Sequence, residues 1–181
     1  MNSLQNHYNH TIMYDLITKL NFNNIFKIPA INKIILNVGL KNSNTEKKKM
    51  IAIILLLKLI TNQQILCTKS KKNNIHLKIK KGAIMGCKVT LQKKNIFIFL
   101  EKFIIFILPN IKDFEGIFLN KNSQVLNFQI KNLLNFFELE REFLKFQNLP
   151  PIDVSLHINN ISISNLLILL NQFNIPIIIN K

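Results

Sequence analysis

Acid is scarce in this chain, with nine Asp and Glu against 24 Lys and Arg across 181 residues. The acids are spread thinly, and their one grouping, Glu138, Glu140 and Glu142 around Arg141, reads as a solvated face. A convergent carboxylate pair or a nucleophile with its base is therefore missing, and the chain is not expected to be an enzyme. Glycine is nearly as rare. Four glycines provide neither GxGxxG nor a Walker loop, so a nucleotide cradle is excluded. The only two cysteines, Cys67 and Cys87, lie twenty positions apart without a CxxC pair, and the four histidines are scattered. A zinc centre is thereby excluded, and two free thiols in a reducing compartment are expected. No cofactor or metal is implied. Apolar runs such as "MIAIILLLKLI" are shorter than ~20 residues and carry charge, so no spanning helix is expected, and the apolar circumference of that run favours burial in a core over a membrane partner. The first eighteen residues hold no Lys or Arg and no apolar core, so no targeting segment is read there.

Basic charge, by contrast, is abundant. The net charge is +15 with a pI near 10, which concentrates polyanions around the molecule. Nucleic acid is the first candidate partner and an anionic membrane surface the second. Arg141 is the sole arginine. Lysine is a point charge suited to phosphate, whereas arginine reads guanine edges with a bidentate fork. The lysines thus suit recognition of backbone and shape. Enrichment in Lys, Asn, Ile and Phe also matches A/T-rich codons, which account for the larger share of the bias and point to an organellar or endosymbiont genome.

Forty-eight per cent apolar residues exclude disorder. Helical periodicity marks 8–20, 48–62, 94–108 and 162–173; strands are expected at 31–40, 86–91, 124–130 and 152–158. The helix in 48–62 is nearly all apolar around its circumference, which predicts heavy burial with one edge, marked by Lys47, Lys48, Lys49 and Lys58, left wet. Residues 122–143 are otherwise ambiguous. The expected fold class is α+β, a two-layer sandwich in which an antiparallel or mixed sheet is covered by helices on one face, as one domain over 1–181.

The stretch "KIKKGAIMGCKVTLQKK" raises the sharpest question. From Lys69 to Lys94 there are nine lysines and no acid. Chance clustering in a basic chain competes with function, but the missing acids and the pair Gly82 and Gly86 favour a basic loop that lets phosphate come close. In 77–80, Leu77 and Ile79 alternate with Lys78 and Lys80, giving an extended segment one apolar and one cationic side. Most phenylalanines fall in helices, where core packing explains them better than base stacking.

"IPAINKIILNVG" (28–39), "KKGAIMGCKVTL" (80–91), "NIKDFEG" (110–116) and "DVSLHI" (153–158) resemble, in order and spacing, the ribosomal protein uL5 family of bacterial type. The resemblance spans about Tyr8 to Ile178. It implies a structural protein of the large-subunit central protuberance that binds large-subunit rRNA and 5S rRNA through Asn37, Gln63 and Thr90. Lys33, Lys69, Lys71, Lys72 and Lys88 are the accompanying cations. It also implies a P-site tRNA contact by the loop holding Asn74, His76, Lys78, Lys80, Lys81 and Gly82. An intersubunit bridge to small-subunit protein uS13 would use Asn110, Lys112 and Asp113, beside other central-protuberance proteins. Glu115 stands where the family usually has a basic residue, and 120–150 match poorly. Codon bias with no presequence points to the mitochondrion ahead of the plastid. Two alternatives are a free-standing basic nucleic-acid binder of an organelle nucleoid and a peripheral membrane protein.

Overall fold

A computed structural model describes residues 3–22, 24–40, 47–76, 79–111, 114–119, 125–147, 149–159 and 163–179. Five strands form one sheet in the order β2-β3-β1-β6-β5: β1 Ile31–Gly39, β2 Leu66–Lys69, β3 Ile84–Gln92, β5 Val125–Ile130 and β6 Ile152–Ile158. The class is α+β and the sheet is mostly antiparallel, as expected. Period-two alternation explains the strands, since successive side chains point to opposite faces. Ile34, Leu36 and Val38 of β1, Cys87, Val89 and Leu91 of β3, and Ile152, Val154 and Leu156 of β6 are buried, with polar or half-exposed residues between them.

The chain divides into two compact units. The first comprises 1–34, 91–128 and 155–181. Here α1 Ser3–His7 runs through a π turn at Tyr8–Ile12 into α2 Met13–Leu20. Tyr8 places its ring 5.4 Å from Phe97 and 5.9 Å from Phe173, and burial raises its hydroxyl pKa. The helix expected at 94–108 is α4 Lys94–Lys102, continued by a π turn at Phe103–Ile107 that sets Phe103 4.9 Å from Phe128. The final helix is α5 Ile163–Gln172. A second, two-stranded sheet, absent from the sequence reading, pairs β4 Ile117–Leu119 in parallel with β7 Ile177–Ile179.

The second unit comprises 35–90 and 129–154. Its helix, α3 Lys47–Thr61, buries Met50, Ile53, Leu56, Leu57 and Ile60. The exposed side is wider than the expected lysine edge. Ile51, Leu55 and Leu59, spaced i, i+4, i+8, are 61%, 47% and 41% exposed; an apolar composition says nothing about how many sides the fold covers. The ambiguous stretch contains short 3-10 helices at Leu133–Asn135 and Phe137–Lys145, with Leu133, Phe136, Leu139 and Phe146 buried.

Scarcity of glycine has a structural counterpart. Asn21, Asn62 and Asn174 follow α2, α3 and α5 with φ of 49°, 51° and 55°. Asparagine tolerates this left-handed conformation better than other side chains and takes the place glycine commonly holds at helix ends.

Candidate nucleic-acid interface

The second unit carries most of the expected contact residues. In the β2–β3 hairpin, Leu66 stands opposite Lys88, Cys67 opposite Cys87 and Thr68 opposite Gly86. Cys87 is buried, so by alternation Leu66, Thr68, Gly86, Lys88 and Thr90 take the other side. On β1 the Leu40 amide donates to the Met85 carbonyl at 2.8 Å, and a Cβ on Gly86 would meet the Val38 carbonyl. Asn37, between buried Leu36 and Val38, therefore lies on the same side as Lys88 and Thr90. Asn37 and Lys88 are exposed and Thr90 is half-buried, leaving hydroxyl, amide and ammonium groups available to a sugar-phosphate partner.

Gln63 stands off the strands. It follows α3, where Asn62 turns left-handed and the Gln63 amide donates to Thr61 Oγ1 at 3.4 Å. Thr61 is buried and donates to the Leu57 carbonyl at 2.7 Å, fixing this corner.

The basic segment is a paired arm where a loop was expected. The Ser70 amide donates to Ala83 at 2.8 Å, and Gly82 returns a bond to Ser70 at 2.9 Å. Asn74 and Ile79 exchange both backbone bonds at 2.9 Å, and the Lys81 amide donates to Asn73 Oδ1 at 2.6 Å. Gly82 has φ +85°, a conformation that favours glycine. Lys69, Lys71, Lys72, Lys80 and Lys81 are exposed while Ile79 is buried, as the alternation predicts. Asn74 and His76 are exposed, and Ile75 at the tip is 89% exposed. Lys78 lies outside the described residues.

Gly86 requires a correction. Its missing side chain admits the Val38 carbonyl, at 2.5 Å from an ideal Cβ, so the close approach is made by the chain's own backbone and not by an outside ligand.

Two further groups fall in the first unit. Lys33 is half-buried, and His157 has its pKa lowered by burial and by the Lys33 charge. Asn110 is exposed, with its amide donating to Ile107 at 3.2 Å; Lys112 and Asp113 lie outside the described residues. In the second unit, Asp153 and Gln129 form a 2.8 Å hydrogen bond that sequence reasoning missed. The signal was available in "IDVSL", where alternation sets Asp153 opposite to Ile152 and Val154.

Among the described residues no three His, Cys, Asp or Glu side chains converge on a metal position, and no helix is long and apolar enough to cross a membrane. A basic α+β protein with a lysine arm on a half-polar sheet has the electrostatic footprint common to nucleic-acid-binding proteins. The comparisons are more specific. The model of the ribosomal L5 family C-terminus matches residues 84–177. The chain is 38% identical over 180 residues to large ribosomal subunit protein uL5m of Reclinomonas americana, covering 98% of both chains. It is 32% identical to uL5 of Ehrlichia canis, covering 97% of this chain and 99% of the relative, and 32% identical to uL5 of Mycoplasma pneumoniae, covering 98% and 99%. The chain belongs to the ribosomal L5 family, whose members are structural proteins and not enzymes.

Proposed function

We propose that this chain is a structural constituent of the large subunit of a mitochondrial ribosome, acting as a single L5-like domain over residues 1–181. The mitochondrial assignment draws on likeness to a uL5m protein and on codon bias. Asn37, Thr90 and Lys88, with Gln63, Lys69, Lys71 and Lys72, meet large-subunit rRNA, and 5S rRNA where one is present. Lys33 supplies a further phosphate contact. The arm bearing Asn74, His76, Lys78, Lys80, Lys81 and Gly82 reaches P-site tRNA. Asn110, Lys112 and Asp113 bridge to uS13 in the central protuberance.

One observation carries this reading: an arm free of acid, its described lysines exposed, springs from strands whose non-core side carries Asn37, Lys88 and Thr90 beside the exposed Leu66. Phosphate attraction supplies affinity, while the fixed Asn, Thr and Gln groups supply position. The test is sedimentation of mitochondrial lysate at moderate and high salt. Comigration with large subunits through high salt is expected. Release to the top of the gradient at modest salt would overturn the reading and leave a free-standing nucleoid binder.

A further inference from the structure

We propose that Cys67, Cys87 and Met50 form a site for one soft monovalent cation, Cu(I), at the root of the basic arm. Cys67 and Cys87 are directly opposite each other on β2 and β3, with sulfurs 3.9 Å apart. The Cys87 thiol in turn points at the Met50 thioether of α3, 3.5 Å away. Two thiols and a thioether from three separate elements are thus gathered around Cys87.

The donor set selects the ion. Thiolate and thioether sulfurs are soft ligands that favour Cu(I), whereas magnesium and calcium require oxygen. Structural zinc requires four ligands from thiolate, imidazole or carboxylate. No third His, Cys, Asp or Glu joins the pair among the described residues, so the hard and borderline cations lack a donor set. The spacing agrees. For metal–sulfur bonds of about 2.3 Å, sulfurs 3.9 Å apart subtend roughly 116° at the metal, near trigonal. The 3.5 Å pair subtends roughly 99° on the same bond length, and the flexible Met50 side chain can open it.

Accessibility favours loading from one side. Cys67 is exposed on the edge strand of its sheet, while Cys87 and Met50 are buried. Binding balances as Cu(I) plus two thiols giving a bis-thiolate complex of net charge −1 and two released protons, with the thioether neutral. A bound ion would tie β2, from which the arm springs, to β3 and α3.

The test uses the full chain, reduced and anaerobic, titrated with Cu(I) held by the chromophoric chelator bicinchoninate. The native protein is expected to withdraw one equivalent and to show three sulfur neighbours by X-ray absorption. Cys67→Ser, an exposed change that leaves the circular dichroism and thermal midpoint of the metal-free chain unaltered, loses that equivalent. Met50→Leu weakens uptake and reduces the sulfur count to two. A native chain that leaves the chelator fully loaded overturns the site, as does a Cys67→Ser chain that competes equally well. Unchanged affinity in Met50→Leu overturns the three-sulfur arrangement.

Discussion

The Cβ that Gly86 lacks would stand 2.5 Å from the carbonyl oxygen of Val38, closer than real Cβ atoms approach backbone. The same Cβ would be 3.2 Å from Thr68 Oγ1 and 3.3 Å from the Gly39 Cα. Neighbours on both flanking strands thus close around β3 at this point. Gly82, only four residues earlier, has nothing within 4 Å of its ideal Cβ but has φ +85°. The two glycines are required for different reasons, one spatial and one conformational.

Gly86→Ala is therefore expected to force β3 away from β1 and to destabilise the chain by about 1–3 kcal/mol. Gly82→Ala costs about 1 kcal/mol through backbone strain alone, and Gly82→Asn recovers part of that loss because asparagine tolerates positive φ. Urea unfolding of the three variants checks the order. Equal losses in Gly86→Ala and Gly82→Ala would contradict the spatial account.

Replacement of Lys71, Lys72, Lys80 and Lys81 by alanine should weaken RNA binding and flatten its salt dependence. Each phosphate contact carries roughly 0.7–0.9 of the log–log slope, so the quadruple variant should lose up to about 3.6 in slope. The arm should still form, because its bonds involving Lys72, Lys80 and Lys81 use backbone atoms. Stability should stay within about 0.5 kcal/mol, as for other exposed substitutions. Filter binding across a salt series, with parallel thermal melts, measures both.

Thr61→Val tests the corner that holds Gln63. The variant loses the bond to the Leu57 carbonyl and the acceptor for the Gln63 amide, at a cost of about 1 kcal/mol. RNA affinity should fall with the salt slope unchanged, since no charge is removed. Gln63→Ala should reproduce the affinity loss without the stability loss. A Thr61→Val chain with native affinity would show that Gln63 does not depend on this corner.

Burial and the Lys33 charge both disfavour protonated His157. The folded pKa is lowered, so the associated stability is present above the unfolded value of about 6.5 and is lost as pH falls through the folded value. Lys33→Ala removes the second cause and leaves the first. It should move the imidazole titration only partway back toward its ordinary position, as followed by proton NMR. No movement would mean that burial alone sets the shift.

Several elements were legible because their signal is local. Ile34, Leu36 and Val38 alternate with Lys33, Ile35 and Asn37, and "GCKVTL" and "IDVSLHI" alternate in the same way. Asn37 and Thr90 were picked out by the family resemblance, and the alternation is what sets them away from the buried side. The π turns at Tyr8–Ile12 and Phe103–Ile107 were not legible, because one extra residue in a turn hardly changes an apolar periodicity. The β4–β7 pair escaped notice because three-residue strands from distant parts of the chain carry almost no pattern. The arm's pairing was hidden beneath its charge. The exposed stripe of Ile51, Leu55 and Leu59 was hidden by an apolar composition that predicts heavy burial away from the lysine edge.

By itself the sequence determined the charge, the alternation that assigns each strand residue to a side, and the ordered motifs that identify the family. These depend on residue type and spacing alone. Only the tertiary structure decided that Gly86 serves the Val38 carbonyl, that Cys67 and Cys87 meet across two strands beside Met50, and that Asp153 pairs with Gln129. Each relationship joins residues far apart in the chain, and strand register, which local preference does not encode, brings them within a few ångströms of one another.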